Sequence, residues 1–316
     1  ERKVYLKGEA YFAVTKQVTK PFIVCLDQAE ITVLGTEFNV RNYENEAIAT
    51  TLVKGSVSVT DNSNISECRL RPGQQAVLEK GGITVREVEP IHFVAWKDGF
   101  FVYQDKKLDD ILNELARWYD FTFSYRNNEL KDLVLTAKLK KFDRVDRIFR
   151  ILTETGKLGF TTQGKEVKIK TGGASIGCEL FLLIIINRSI TNLNNKCMKK
   201  SLKGRSYPRE KAKKVLRMMK ISVVLMLFCL QIQANVYSQH TRLSLKLENA
   251  SIKQLFTEIE KKSDVAFVYN AGDVDHLGTV NVNFTNEEIG KILDFCLKGK
   301  GVEYSFVDNH IVIHKK

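Results

Sequence analysis

Two stretches of this 316-residue chain, 144 positions apart, carry the same apolar pattern. Leu108, Ile111, Leu112 and Leu115, at helical spacing, return as Ile252, Leu255, Phe256 and Ile259. The alternating Phe121, Phe123 and Tyr125 return as Val265, Phe267 and Tyr269. After a loop one residue longer, Leu135, Ala137 and Leu139 meet Val280, Val282 and Phe284. Val145, Ile148 and Phe149 then meet Ile289, Ile292 and Leu293, and Val167 and Ile169 meet Ile311 and Ile313. So sustained a correspondence predicts one fold used twice, each copy in the order β-α-β-β-α-β-β. Two copies are too few for a solenoid, so they read as two separate small α+β domains. Asp105, with Asn249 as its counterpart, is the expected N-cap of the first helix.

Residues 1–92 read differently, as short β-branched and aromatic runs separated by turn residues such as Gly35, Gly55 and Pro72-Gly73. The pattern fits a sandwich, a barrel or a β-solenoid, and periodicity does not choose among them. The words "LKGEAYFAV" (Leu6–Val14), "PFIV" (Pro21–Val24), "VLGTEFNV" (Val33–Val40), "LVKGSVSV" (Leu52–Val59) and "LRPGQQAVL" (Leu70–Leu78) decide the family. In order and spacing they resemble the periplasmic domain of FecR-type anti-sigma regulators. Gly8, Gly35 and Gly55 are expected to serve turn geometry, not catalysis. The first copy of the repeat, residues 95–172, resembles the C-terminal subdomain of those regulators. The resemblance implies that a sigma-binding segment and a membrane helix lie upstream.

The second copy, "LSLKLENASIKQLFTEIEKKSDVAFVYN" onward, resembles the secretin and TonB N-terminal (STN) signalling domain over residues 240–316. Ahead of it lies a ten-residue apolar run, Ile221–Leu230, too short for the roughly 20 residues of a membrane span. The run has a basic lead: ten Lys or Arg against one Glu between Met198 and Lys220, so the net charge of +12 falls to near +3 elsewhere. This layout predicts an internal signal peptide over 198–238, cleaved between Ser238 and Gln239. Because the charge is concentrated there, it reads as an export signal and not as a nucleic-acid surface. No zinc-finger, helix-turn-helix or RNP-like motif supports the latter. With its leader, 198–316 resembles the start of a SusC-type TonB-dependent outer-membrane transporter, whose plug and barrel would follow. Residues 173–197 match neither pattern. In bacteria related to Bacteroides such a regulator and transporter are commonly neighbouring genes, so the resemblance favours a read-through or two reading frames joined at this junction, with a natural fusion tethered by the leader as the alternative.

The expected fold class is therefore a β-rich FecR domain, solenoid-like or a sandwich, over 1–92, followed by two small α+β STN-like domains. No nucleophile elbow, P-loop, HExxH or supported carboxylate pair occurs, so no enzyme, catalytic residue or cofactor is expected. His310 and His314 share a strand face but lack a third ligand, which points away from a metal site. The six cysteines show no metal-ligand spacing. A Cys25–Cys68 bridge is chemically allowed, with burial the favoured alternative. The implied partners are proteins: an STN domain with the regulator's C-terminal subdomain, a TonB-dependent transporter, and a sigma factor reached through the missing segment. Membrane association would come only through missing or cleaved segments. The alternative reading is an N-terminal fragment of an outer-membrane nutrient-uptake receptor. Two contacts are expected. Trp118, about 20° from Ile111 on the helical wheel, has Lys262 as its counterpart and is expected to touch the preceding β domain. The two halves are expected to recognise each other through sheet edges near Val167–Ile169 and Ile311–Ile313.

Overall fold

The computed structural model describes residues 2–62, 66–79, 82–172 and 241–316. The expected junction and signal peptide, and the cleavage residues Ser238 and Gln239, lie outside them. The chain divides into two units, Glu1–Gln104 with Lys138–Phe142, and Asp105–Ala137 with Asp143–Lys316.

The first unit begins with ten strands: β1 (Arg2–Tyr5), β2 (Gly8–Ala13), β3 (Phe22–Cys25), β4 (Ala29–Val33), β5 (Glu37–Asn42), β6 (Ile48–Lys54), β7 (Val57–Asp61), β8 (Glu67–Leu70), β9 (Gln74–Glu79) and β10 (Gly82–Glu87). They form two five-stranded sheets, ordered β1-β3-β4-β7-β8 and β10-β9-β6-β5-β2. Ile31, Val33 and Val59 from the first sheet share one core with Phe38, Val40 and Leu52 from the second. Two sheets facing each other across a common apolar layer make a sandwich, which settles the choice that periodicity left open.

The second sheet is covered on its other face too. Asn39, Thr51 and Gln75 are buried there, and each finds a partner, as buried polar groups must. Trp96 Nε1 donates to Asn39 Oδ1 at 3.2 Å, Asn39 Nδ2 donates to Glu9 at 2.8 Å, and Gln75 Nε2 donates to Thr51 at 2.7 Å. Trp96 is brought there by a short helix, α1 (Ile91–Val94), and the 3-10 turn Ala95–Asp98.

Two glycines are required for different reasons. Gly55 sits at φ +98°, as a turn glycine should. Gly35 does not have positive φ; a Cβ there would lie 2.4 Å from the Lys16 Cα, so close backbone approach, not turn geometry, demands it. Cys25 in β3 and Cys68 in β8 are free thiols. Strands β4 and β7 stand between them, so three steps of about 4.8 Å leave them far beyond the roughly 7 Å reach of a disulfide.

The two copies follow, each in the expected order. The first comprises β11 (Phe100–Lys107), α2 (Leu108–Tyr119), β12 (Thr122–Tyr125), β13 (Val134–Lys140), α3 (Val145–Thr153), β14 (Leu158–Gln163) and β15 (Glu166–Thr171). The second comprises β16 (Arg242–Ser251), α4 (Ile252–Lys262), β17 (Ala266–Asn270), a single-turn α5 (Ala271–Val274), β18 (Thr279–Glu288), α6 (Ile289–Leu297), β19 (Val302–Val307) and β20 (His310–Lys315). The shift of 144 carries α3 onto α6 and β14–β15 onto β19–β20 residue for residue. It also carries the parallel pairing Thr122↔Glu166 onto Ala266↔His310.

In each copy the helical stripe seen in the sequence is the core. Leu108, Ile111, Leu112 and Leu115 are fully buried, as are Leu255 and Ile259. Burial of each such side chain contributes about 1.5–3 kcal/mol. Phe256 stacks on Phe267 with centroids 4.1 Å apart, and Phe149 stacks on Phe160 at 4.5 Å.

Asp105 is not the N-cap of α2. That position is Lys107, with no side-chain cap, while α4 is capped by Ser251 in a reciprocal box with Gln254. Asp105 and Asn249 instead occupy the left-handed region, at φ 45° and 50°. Asn249 falls where the β16–β18 register shifts between Leu247 and Ala250, a bulge for which Asp and Asn are suited. The amides of both residues donate to the neighbouring strand, Asp105 to Thr136 Oγ1 and Asn249 to Asn281 Oδ1.

Candidate protein-docking site

Within the second unit the two copies are joined by the pairing of β13 with β17. Other strands form β12-β15-β14 and the ribbon β16-β18. Strand β17 reads AFVYN and is buried at every position. Phe267 and Tyr269 face the core of their own copy, while Val268 on the other face is equally enclosed. A strand buried on both faces and open along one edge would leave its backbone N–H and C=O groups without partners. Strand β13 of the first copy closes that edge antiparallel, with Leu135↔Asn270, Thr136↔Tyr269 and Ala137↔Val268 in register. Leu135 and Ala137 are themselves buried.

Charged side chains flank this pairing on three sides. Lys253, in the first turn of α4, reaches Asp105 at 3.0 Å and Asp275 of its own copy at 2.7 Å. Asp308, at the tip of the β19–β20 hairpin, accepts from Arg147 Nε at 2.8 Å and from Arg150 at 2.9 Å. Lys157 meets Asp273 at 3.2 Å. Asp273 is nearly enclosed, its side chain 11% exposed.

Burial works against both the Lys253 ammonium and the Asp308 carboxylate. Asp275 and Asp105 nevertheless hold the Lys253 pKa above its ordinary value, and Arg147 and Arg150 hold that of Asp308 below its own. Burial also pushes the Tyr269 phenol up, partly offset by its hydrogen bond with Thr136 across the strand pair. The arrangement can bind an extended edge with defined register. It brings no nucleophile and general base together.

The expected edges are not where the sequence put them. Val167–Ile169 lies in β15, between β12 and β14, and Ile311–Ile313 lies in β20, between β17 and β19. Strand β20, HIVIHK, is apolar on both faces, which suits a sheet interior, while β15 alternates buried Val167 and Ile169 with lysines. The strands that meet are β17, the neighbour of β20, and β13, which belongs to a different sheet from β15. None of the seven charged residues at the junction was legible as a site. The signal that could have found them is a break in the repeat: Asp308 has Gly164 as its counterpart, and Lys253 has Asp109. Trp118 lies on α2, 40% exposed. His310 is buried in β20 and His314 half-buried. Among the described residues no group of three His, Cys, Asp or Glu is placed to hold a metal. Nor, among them, is any helix long and apolar enough to cross a membrane.

Comparison with known proteins assigns the segments. Residues 1–58 match the family described as FecR protein, residues 100–169 match FecR, C-terminal, and residues 265–316 match the secretin and TonB N terminus short domain. No curated protein sequence matches. Two crystal structures of a candidate anti-sigma factor from Parabacteroides distasonis ATCC 8503, at 1.65 and 2.50 Å, superpose with a TM-score of 0.48. They share 22% and 23% identity and cover 54% of this chain and 81% of theirs, a likeness too loose to argue from. Both matched families are periplasmic signalling parts. Residues 1–58 and 100–169 are thus similar to FecR proteins, and residues 265–316 to the STN domain.

Proposed function

We propose that the chain is a periplasmic signal-transduction module in which the FecR-type C-terminal domain captures an STN edge by strand addition. In this reading an anti-sigma regulator senses a TonB-dependent transporter through the STN domain that the transporter displays, and passes the signal toward a sigma factor. Here the sensor and the kind of domain it senses are joined on one chain. The observation that carries the reading is the β13–β17 pairing. Main-chain bonds supply the geometry of such an edge and the flanking charges its selectivity. Tethering on one chain raises the effective concentration of each half around the other, so a contact of modest intrinsic affinity is populated.

The test expresses 1–172 and 240–316 as separate polypeptides and titrates one into the isotope-labelled other by NMR. Shifts concentrated at 134–137 and 266–270 support the reading. Their absence at about 500 micromolar, well above the range expected for a transient signalling contact, contradicts it.

A further inference from the structure

The two copies share a fold, so the same docking geometry admits four pairings: first on second, second on first, and either copy on its own kind. The charges distinguish them. In the observed pairing the edge-giving copy supplies Asp105, Arg147, Arg150 and Lys157, and the receiving copy supplies Lys253, Asp308 and Asp273. At the 144 shift the giving set becomes Asn249, Lys291, Asp294 and Gly301, and the receiving set becomes Asp109, Gly164 and Glu129.

Two first copies would place Asp105 against Asp109 and leave Arg147 and Arg150 facing Gly164, with only Lys157 opposite an acid. Two second copies would set both Lys291 and Asp294 against Asp308, and would oppose the enclosed Asp273 with Gly301. The reversed pairing would put Asn249 against Asp109, Lys291 and Asp294 against Gly164, and Gly301 against Glu129. Only one of the four pairings satisfies all three junctions.

We infer that these seven side chains make the docking one-directional. The β13 edge selects an STN-fold partner that has an acid at its last hairpin tip, a second acid just after its edge strand and a lysine in its first helix. Neither copy pairs with its own kind. Like charges in the two same-kind pairings, and unmatched charges in the reversed one, disfavour the wrong partners. Without such a device an edge-to-edge contact between like folds is heterologous and prone to run on into open chains. The inference rests on the docking reading above and adds to it the chemistry of the partner.

The experiment is backbone amide hydrogen exchange on the full chain, comparing the wild type, R147E/R150E, and R147E/R150E with D308N added. Asn is chosen at 308 because the position sits at φ 55°, which Asn tolerates. In the wild type the amides of 135–137 and 268–270 are expected to exchange slowly. In R147E/R150E they should exchange about tenfold faster or more, the scale of several lost or reversed charge contacts. Those of the β19–β20 hairpin should be unchanged. Adding D308N should restore part of the protection, because it relieves the repulsion between the new glutamates and Asp308 without regaining the lost attraction.

Wild-type amides that exchange as an open edge would overturn the docking reading itself. Protected wild-type amides that R147E/R150E leaves unchanged would overturn the directional inference alone. So would a loss that D308N does not partly recover, since that points to damage within α3. Should R147E/R150E fail to fold, Lys157→Glu, set against Asp273, is expected to speed the same amides about threefold or more, and no change there counts against the inference.

Discussion

Replacing Asp308 with Asn removes one negative charge and keeps the side chain's shape at a position where the backbone already favours Asn. The carboxylate accepts two hydrogen bonds, 2.8 and 2.9 Å long, from Arg147 and Arg150. Were both pairs buried, their loss would be severe. The two arginine side chains are 41% and 47% exposed, however, so each pair is discounted to about 0.5–1 kcal/mol by solvent screening. The expected destabilisation of the second unit is therefore about 1–2 kcal/mol. For a unit of this size that is a fall in midpoint of about 2–8 °C by scanning calorimetry.

The pH dependence has a definite sign. The folded-state pKa of Asp308 lies below the ordinary 3.8, because the two guanidinium groups outweigh the opposing effect of burial. The contribution is then fully present at neutral pH and is lost as pH falls through that depressed value, so wild type and D308N should converge only in acid below the ordinary Asp range. A double-mutant cycle with R147M/R150M isolates the cross-copy coupling. Coupling within about 0.3 kcal/mol of zero at pH 7 would refute the reasoning, because it would mean the arginines and Asp308 do not meet in solution.

Three further outcomes are expected. Ser251→Ala removes the acceptor for the Gln254 amide and breaks the capping box of α4, at a cost of about 1 kcal/mol in chemical denaturation; α2, which has no side-chain cap, gives no equivalent loss for Lys107→Ala. In a W96F background, deleting residues 1–94 should move Trp118 emission to longer wavelength if Trp118 touches the preceding β-rich segment, and an unchanged spectrum rejects that contact. Limited proteolysis should leave resistant fragments near 1–170 and 241–316, with cutting between 172 and 238. A protected fragment spanning residue 200 would contradict the expected domain map.

The periodic part of this fold was readable because its core is periodic. Leu108, Ile111, Leu112 and Leu115 are buried by the geometry of a single helix, and helical spacing alone reports that. The repeat then located every strand and both longer helices of the second copy from the first, but not the single-turn α5. What could not be read is adjacency. Alternation in "LVLTAKL" tells which side chains share a face of β13, but not which backbone lies beside it, since ladder hydrogen bonds use groups common to all residues. The β13–β17 edge was missed for that reason, and the apolar runs of β15 and β20, central in their sheets, drew the expectation instead. Asp105 was misplaced because Asp suits both an N-cap and a left-handed bulge, and only the neighbouring strand, through Thr136, decides between them. Gly35 owes its identity to the Lys16 backbone, a contact invisible to local turn chemistry. The charged junction was hidden differently: Arg147, Lys253 and Asp308 each read as ordinary solvated charge until the two copies are compared position by position.

Strand β13 of the FecR-like segment lies beside β17 of the STN-like segment. Cross-strand backbone NOEs in the deuterated full chain test it most directly. NOEs are expected to link Leu135 with Asn270, Thr136 with Tyr269 and Ala137 with Val268, as strong as those linking Tyr304 with Ile313 inside the β19–β20 hairpin. Hairpin NOEs with none between 135–137 and 268–270 would contradict it.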